Sequence, residues 1–308
     1  MRIAIIGAGG VGGYYGGRLA QAGEDVVFLA RGANLAALRD HGLKVVSPLG
    51  DFHLPRVQAT DDPASIGSVD LVLISVKTYS TDGAARSLPP LVGPATVVLS
   101  LQNGVDAADR LGAVVGPSHM LGGLTYISAE LVAPGEIRHA SPFARVVIGE
   151  FSRQATDRLR RVQAAFDHAG VQVELSDDIE RDLWLKFMFI AVQAATTSLT
   201  RLPIGPIRET PAAWQLYLDA LAEIEAVARA KGVRLPPHTA EERHAWVATT
   251  PAHFKSSMLA DVENGRRLEI EDMSGAVVRL GERLGVPTPV HRVFYALLSA
   301  LDHAAQAK

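Results

Sequence analysis

Apolar runs and helical stretches alternate along the first half of the chain. Arg2–Gly7 is an apolar run that ends in glycine, as is typical of a buried parallel strand. Similar runs occupy Asp25–Ala30, Asp70–Val76 and Ala95–Leu101, with helical patterns between them. This alternation predicts a parallel sheet with right-handed crossover connections.

Two regions of the first half depart from this alternation. Between residues 43 and 61 the apolar stretches are shorter and the sequence is more polar, which predicts a hairpin-like excursion. Residues 119–150 contain β-rich pieces separated by Pro and Gly turns. We therefore expect additional strands beside the parallel ones.

The second half of the chain is helical in pattern. After Asp177 the sequence DDIERDLWLKFMFIAVQAATTSLT offers an Asp cap, acids in the first turn and a long apolar body. Further helical patterns cover Pro211–Lys231, Glu241–Thr249, Leu268–Leu284 and His291–His303. We predict an α/β domain over residues 1–172 and an all-α domain over residues 173–308.

Composition narrows the function classes. The 308 residues carry a formal net charge of −3, so no nucleic-acid or anionic-membrane partner is indicated. Cysteine is absent, which excludes disulfides, thiolate zinc sites and cysteine nucleophiles. The ten histidines show no close spacing typical of a metal site. The apolar stretch near Phe187–Ala195 is too short to span a membrane and lies beside Lys186. We expect a cytoplasmic protein.

A glycine cluster directly follows the first strand. The G-x-G-x-x-G pattern is formed by Gly7, Ala8, Gly9, Gly10, Val11 and Gly12. In a strand-turn-helix context these glycines allow a tight turn, close approach of a pyrophosphate and close helix packing. The helix N-terminus then offers free N–H groups to phosphates. The pattern predicts a dinucleotide-binding domain of the Rossmann type. The alternative is a glycine-rich turn that serves only close packing of the helix.

The residue after the second strand points to the kind of dinucleotide. An acidic residue there would bind the ribose hydroxyls of NAD(H), but this chain has Arg31. A guanidinium suits a 2′-phosphate by charge and fork geometry, so the sequence favours NADP(H). The alternative is an ordinary surface arginine.

Polar residues follow two further strands, where ligands of such sheets bind. Lys77 ends one strand and Asn103 follows the next, although both also fit solvated turns. Lys186 lies in the apolar stretch LWLKFMFIA, where its ammonium must be paired, snorkelling or functional. Burial would lower the proton affinity of the lysine, which suits a general acid. The structural alternative is an ion pair with Asp182, four positions earlier on the helix.

The stretch SSMLADVENGRRLEIEDMSG contains several polar candidates that composition does not rank. They are Ser256, Ser257, Glu269, Glu271 and Asp272. Three acids near a helix start are most often cap and dipole partners.

Together these pieces resemble the ketopantoate reductase (2-dehydropantoate 2-reductase) family along essentially the whole chain. The matching segments are the glycine turn, Arg31, SVKTYS, LQNG, LWLKF and the SSML segment with its glutamate twelve residues beyond the second serine. The resemblance implies a Rossmann-type domain, an all-helical domain and an active site in the cleft between them. It also implies reduction of ketopantoate to pantoate by NADPH in pantothenate biosynthesis, and it makes a homodimer plausible.

The resemblance also assigns roles to residues. Lys186 would be the general acid, and Glu269 would orient it or bind a substrate hydroxyl. Ser257 would hold the substrate carboxylate, and Asn103 would contact the substrate and the cofactor ribose. Lys77 would lie at the nicotinamide side.

Three positions depart from the family pattern. Well-studied members have asparagines in the substrate pocket where this chain has Ile190, Ala194 and, at or near the third position, Ile204. Gln193, Thr196 and Thr197 are the nearby polar alternatives. Two other functions therefore stay open: a reductase of a less polar 2-oxo acid, and a non-catalytic NADPH-binding regulator.

Overall fold

The computed structural model describes residues 1–306, which form two compact units. Residues 1–102 and 107–179 form unit 1, and residues 103–106 together with the chain from Glu180 form unit 2. The sequence placed the boundary at residue 172, but residues 173–179 group with unit 1. The reason is a strand, Gln172–Leu175, which pairs in parallel with Arg145–Gly149 of the same unit.

The main sheet of unit 1 has eight strands. They are β1 (Arg2–Ile6), β2 (Asp25–Leu29), β5 (Gln58–Thr60), β6 (Val69–Ile74), β7 (Val92–Ser100), β8 (Met120–Tyr126), β11 (Arg145–Gly149) and β12 (Gln172–Leu175). Their order is β12-β11-β8-β7-β6-β1-β2-β5. All neighbours are parallel except β8 and β11. The run β5-β2-β1-β6-β7-β8 is the doubly wound Rossmann order.

A second sheet of four strands accounts for the polar excursion and for part of the β-rich region. It consists of β3 (Leu43–Val46), β4 (Phe52–Leu54), β9 (Ala129–Ala133) and β10 (Glu136–His139). The expected hairpin is the antiparallel pair β3–β4, while β5 leaves it and joins the main sheet.

Five α-helices connect or flank the strands in unit 1. They are α1 (Gly10–Gln21), α2 (Gly32–His41), α3 (Thr81–Arg86), α4 (Ala107–Val115) and α5 (Asp157–His168). Apolar residues of the strands are almost fully buried, Ile3 and Ile5 in one core and Ala4 and Ile6 in the core on the opposite face. This burial on both faces explains the continuous apolar runs of the sequence.

Unit 2 is built from helices. They are α6 (Ile179–Thr200), α7 (Ile204–Glu209), α8 (Pro211–Lys231), α9 (Thr239–Val247), α10 (Ser257–Glu263), α11 (Ser274–Leu284) and α12 (Pro289–Gln306). Gly232 and Gly285 end α8 and α11 in the left-handed conformation, as glycine at a helix C-terminus commonly does. The predicted fold class, an α/β Rossmann-type domain followed by an all-α domain, is confirmed.

Helix α6 contributes several residues to the unit 2 core. By length and composition it is the one helix within residues 1–306 that could cross a membrane, yet 61% of its most apolar window is buried. Trp184, Phe187 and Met188 pack in the apolar core with residues of α8 and α11. Its apolar character is thus used in packing inside the protein.

The stretch Leu268–Leu284 differs from the continuous helix that its pattern predicts. Residues 270–272 form a single 3₁₀ turn, and the α-helix begins only at Ser274. The backbone N–H of Leu268 donates to the side chain of Asp302 on α12 at 2.7 Å. This tertiary hydrogen bond connects the segment that carries Glu269 to α12.

Candidate active site

The glycine turn between β1 and α1 has the geometry of a phosphate-binding loop. Gly7 has a φ of +101°, and a Cβ there would lie 2.7 Å from the backbone N of Val76. A Cβ on Gly12 would lie 2.1 Å from the carbonyl oxygen of Gly7. Gly9, the N-cap of α1, has open space within 4 Å of its Cβ position. The first and last glycines therefore close the turn, and the middle one leaves room for a ligand.

The remaining glycines of α1 serve packing. A Cβ on Gly13 would lie 2.7 Å from Ile137, and one on Gly16 would lie 2.6 Å from Phe28. A Cβ on Gly17 would come within 3.0 Å of Phe52. Helix α1 thus lies directly on the two sheets, which explains a glycine density beyond the phosphate motif.

Two side chains outside the motif hold the turn in place. Ser75 Oγ donates to the carbonyl oxygen of Gly7 at 2.8 Å. Asn34 Nδ2 donates to the carbonyl oxygen of Ala8 at 2.9 Å, and Asn34 Oδ1 accepts from Gly135 N at 2.8 Å. Sequence reasoning missed Asn34, because its partners are 26 and 101 residues away.

Arg31 follows β2 as the N-cap of α2 and is exposed. Within residues 1–306 its guanidinium forms no hydrogen bond or ion pair. The first turn of α1 contains no acidic side chain. Electrostatics at this edge of unit 1 therefore favour an anionic group.

Lys77 is half-buried at the start of a 3₁₀ turn, Thr78–Ser80, directly after β6. Gln102 Nε2 donates to the carbonyl oxygen of Val76 at 3.0 Å and to Thr81 Oγ1 at 2.9 Å. The loop that presents Lys77 is thus tied to the end of β7 by a buried amide.

In unit 2, Lys186 and Asn103 come together. Lys186 is 9% exposed, and its Nζ donates to Asn103 Oδ1 at 3.1 Å. Burial lowers the pKa of Lys186 to about 8, while the negative charge of Glu269 acts in the opposite direction. A lysine in this range can give up a proton near neutral pH.

The acidic residues after α10 separate into different environments. Glu269 is 7% exposed and interacts electrostatically with Lys186. Glu271 instead pairs with Arg279 at 3.1 Å and accepts a hydrogen bond from Tyr295 at 2.7 Å. Only Glu269 of these two is therefore placed to act on the lysine.

The two serines at the start of α10 also differ. Ser256 is the N-cap, and its Oγ accepts from Leu259 N at 3.0 Å. Thr197 Oγ1 lies 2.7 Å from Ser256 Oγ and connects α10 to α6. Ser257 is exposed, and its hydroxyl has no hydrogen-bond partner within the described part of the chain. Ser257 is thus available for a ligand, whereas Ser256 is structural.

The positions that depart from the family pattern are apolar and packed. Ala194 and Ile204 are 6% and 0% exposed, and Ile190 is partly buried against the same core. Among the polar alternatives, Gln193 accepts from the Tyr217 hydroxyl at 3.2 Å, and Thr196 donates to the carbonyl oxygen of Val192 at 2.8 Å. These side chains are engaged in the protein interior.

The doubly wound sheet, its glycine turn and a helical unit with a buried lysine together define a two-domain, dinucleotide-binding oxidoreductase. Models of the ketopantoate reductase PanE/ApbA family and of its C-terminal domain match residues 3–153 and 178–302. The chain belongs to the ketopantoate reductase family.

Individual relatives match over nearly the whole length. A Bacillus subtilis protein named uncharacterized oxidoreductase YkpB is 36% identical over 98% of this chain and 99% of its own. The 2-dehydropantoate 2-reductase of Mesorhizobium japonicum is 31% identical over 98% of both chains. The crystal structure of a PanE/ApbA family ketopantoate reductase from Ralstonia eutropha superposes with a TM-score of 0.90, at 35% identity, covering 99% of this chain and 100% of the other.

Proposed function

We propose that the protein reduces the keto group of a 2-oxo acid to a hydroxyl group, with NADPH as the reductant. The observation that carries the proposal is Lys186, a lysine buried in an apolar helix with its pKa lowered to about 8. Its Nζ is held by Asn103 Oδ1 at 3.1 Å, so the ammonium has a defined direction. Family membership and relatives named 2-dehydropantoate 2-reductase support the same reaction class.

The glycine turn fits the cofactor. The open space at Gly9 and the free N–H groups at the start of α1 suit a pyrophosphate, and the exposed Arg31 suits a 2′-phosphate. Lys77, presented by its anchored loop, would contact the nicotinamide side. NADPH, when bound, supplies the hydride. The chain itself contributes binding, orientation and the proton.

Lys186 acts as the general acid in this proposal. Reduction adds a hydride to the keto carbon and a proton to the keto oxygen, on which negative charge develops. The Lys186 ammonium stabilises that charge and donates the proton from Nζ, leaving a neutral amine. Glu269 favours the protonated lysine before the reaction, since its negative charge raises the pKa of Lys186.

The substrate would be held by residues near this lysine. Asn103 accepts from Lys186 through Oδ1, so its amide nitrogen is the group that could donate to the substrate or the cofactor ribose. The Ser257 hydroxyl would donate to the substrate carboxylate.

The relatives provide the first candidate substrate. It is 2-dehydropantoate, which several relatives are named for reducing. In this chain that reaction would give pantoate for pantothenate biosynthesis. The second candidate is a less polar 2-oxo acid. It is favoured by Ile190 and Ala194, which offer no hydrogen bond to a hydroxylated substrate.

A steady-state assay of NADPH oxidation with 2-dehydropantoate and other 2-oxo acids tests the proposal. Lys186→Met should lower kcat by about 10²–10⁴-fold, because the proton donor is lost. NADPH affinity, measured by fluorescence titration, should stay within about threefold. Unchanged kcat in the variant would reduce Lys186 to a structural residue. Tight NADPH binding without turnover of any 2-oxo acid by the wild type would favour a non-catalytic regulator.

Two further expectations belong to this proposal. We expect a homodimer from the family resemblance and a cytoplasmic location from the composition of the chain. Sedimentation equilibrium of the purified chain would measure the first, and fractionation of the source cells would measure the second.

A further inference from the structure

Three aromatic side chains of unit 2 form a partly exposed cluster. Phe189 of α6 contacts Trp246 edge to face, with ring centroids 5.0 Å apart, and lies 6.0 Å from the ring of Phe254. Trp246 and Phe254 are 48% and 37% exposed. Contiguous exposed aromatic surface of this kind usually marks a binding site. We call Phe189, Trp246 and Phe254 the aromatic cluster.

The aromatic cluster lies on the Lys186 side of α6. Residues three and four positions apart share a helix face, so Phe189 and Ile190 project on the same side as Lys186. Thr197, eleven positions after Lys186, falls within about 20° of the same direction. Because the Thr197 hydroxyl contacts Ser256, the segment 254–257 runs along this face.

The backbone of that segment is held firmly. Ile204 N donates to the carbonyl oxygen of Phe254 at 3.1 Å, and Gly205 N donates to that of Ala252 at 2.9 Å. The same short segment therefore carries an aromatic ring, Phe254, and the exposed hydroxyl of Ser257. A ligand whose carboxylate binds Ser257 would place its other end near the ring.

Polar groups are scarce along this face. Ile190 and Ala194 have none in their side chains. Gln193 is 2% exposed, its Oε1 accepts from the Tyr217 hydroxyl, and its Nε2 is buried without a hydrogen-bond partner in the described part of the chain. A hydroxyl on the substrate's side chain would lose its water without gaining a partner from Ile190 or Ala194. A branched or aromatic hydrocarbon group would instead gain contact with the cluster.

We propose that the aromatic cluster and Ile190 bind the side chain of the substrate, and that the protein reduces 2-oxo acids with an apolar branched or aromatic side chain in preference to 2-dehydropantoate. This inference rests on the proposed function, since it names the substrate class of the same site. Because Phe189 lies about one helical turn from Lys186 on the same helix, a small substrate is favoured over a protein partner as the occupant of the cluster.

A matched pair of acids gives the sharpest test. 3,3-Dimethyl-2-oxobutanoate differs from 2-dehydropantoate only by lacking the terminal hydroxyl, and phenylglyoxylate adds an aromatic probe. With NADPH and the full chain, kcat/KM for the dimethyl acid should exceed that for 2-dehydropantoate by at least about tenfold. A ratio near one, or a preference for 2-dehydropantoate, overturns the inference and leaves the proposed function standing. If NADPH binds but none of the three acids is reduced, the proposed function itself fails.

Variants connect the preference to the cluster. Phe254→Ala should lower kcat/KM for the two apolar acids by about tenfold more than for 2-dehydropantoate, and Ile190→Asn should shift the ratio toward 2-dehydropantoate. Phe151→Ala is the matched control, because Phe151 is a 38% exposed phenylalanine of unit 1. Equal effects of Phe254→Ala on all acids would overturn the inference. So would a changed oligomeric state with unchanged kinetics, which would make the cluster a subunit contact.

Discussion

Lys186 shows how one residue obtains its chemistry from its surroundings. Its flanking residues Trp184, Phe187 and Met188 are at most 1% exposed, and this apolar environment makes the charged ammonium costly. Asn103 and Glu269 offset part of that cost through a hydrogen bond and an opposite charge. The balance leaves the lysine protonated at neutral pH and able to lose its proton.

The pH dependence of the reduction should report this balance. If the protonated lysine is the proton donor, as proposed, kcat/KM for the reduction should fall about tenfold per pH unit above a pKa near 8. Glu269→Gln removes the charge that raises the pKa of Lys186, so the fall should begin at lower pH. Glu271→Gln is the control, because Glu271 is bonded to Arg279 and Tyr295. A profile that Glu269→Gln moves to higher pH would contradict this account.

Arg31 should decide which nucleotide binds. Arg31→Ala removes the guanidinium proposed to pair with the 2′-phosphate, and a hydrogen bond between charged groups contributes about 1.5–3 kcal/mol. We expect the Kd for NADPH to rise about 10–100-fold and the Kd for NADH to change by less than about threefold. Fluorescence titration measures both constants. Arg39→Ala, on the same helix, is the control and should leave both dissociation constants nearly unchanged. If Arg31→Ala weakens the binding of NADPH and NADH equally, the 2′-phosphate binds elsewhere.

At the scale of elements, α6 and α10 are coupled by a directed chain of hydrogen bonds. The Thr197 hydroxyl donates to the carbonyl oxygen of Gln193 at 2.6 Å, so its proton is already used. Ser256 must therefore donate to Thr197 Oγ1, while Ser256 Oγ accepts from Leu259 N. The chain sets the start of α10, and hence Ser257, against the helix that carries Lys186.

Thr197→Val keeps the side-chain shape and removes the acceptor. If Ser257 holds the substrate carboxylate, KM for the acid should rise about 3–10-fold while kcat and the Kd for NADPH stay within about twofold. Thr197→Ser should restore KM, because the hydroxyl returns. Thr196→Val is the matched control, since Thr196 bonds only to carbonyl oxygens of its own helix. A fall in kcat with an unchanged KM would assign Thr197 a different role.

The same scale shows why one element was predicted with the wrong start. Leu268, Ile270 and Met273 are all buried, but residues two positions apart do not share a helix face, so their spacing is not that of one buried helix face. Residues 270–272 form a 3₁₀ turn instead, and the α-helix starts only at Ser274. The apolar content of the segment predicted its burial, but not the residue at which the helix starts.

At the scale of the whole molecule, each unit has its own core, and the core of unit 2 contains a buried histidine apart from the site. His291 is fully buried, and burial lowers its pKa to about 4. Glu223 of α8 accepts from the backbone N–H groups of Val290 and His291, at the start of α12. This carboxylate satisfies N–H groups that the first turn of a helix leaves free.

His291 should make the stability depend on pH. The unfolded chain takes up a proton at His291 below about pH 6.5, whereas the folded chain keeps it neutral down to about pH 4. Stability is therefore lost as the pH falls from 6.5 toward 4, by about 2 kcal/mol at pH 5 relative to pH 7.5. His139 and His244, whose pKa values burial also lowers, act in the same direction.

Urea unfolding of the full chain at pH 7.5 and pH 5 measures the loss. In His291→Gln, which cannot titrate, the loss should be smaller by about 2 kcal/mol. If that variant does not fold, the His291 ring of the wild type can be titrated by NMR. A protonation midpoint near 6.5 in the folded protein would contradict the prediction.

The sequence alone determined the features that depend on neighbouring residues. The strand runs of unit 1, the glycine turn, the helix around Lys186 and the glycines that end α8 and α11 were all readable, because periodicity and backbone freedom are local properties. The family resemblance added roles for Asn103 and Glu269, whose local sequence also fitted turn and cap residues.

Only the tertiary structure decided which distant groups meet. Lys186 and Asn103 are 83 residues apart, and nothing in either segment specifies the partner of the other. The assignment of β12 to unit 1, the support of the glycine turn by Asn34 and the joining of Phe189 to Phe254 are likewise long-range contacts. Such contacts depend on packing of the whole chain, since burial and hydrogen bonding gain their energy only once separate elements come together.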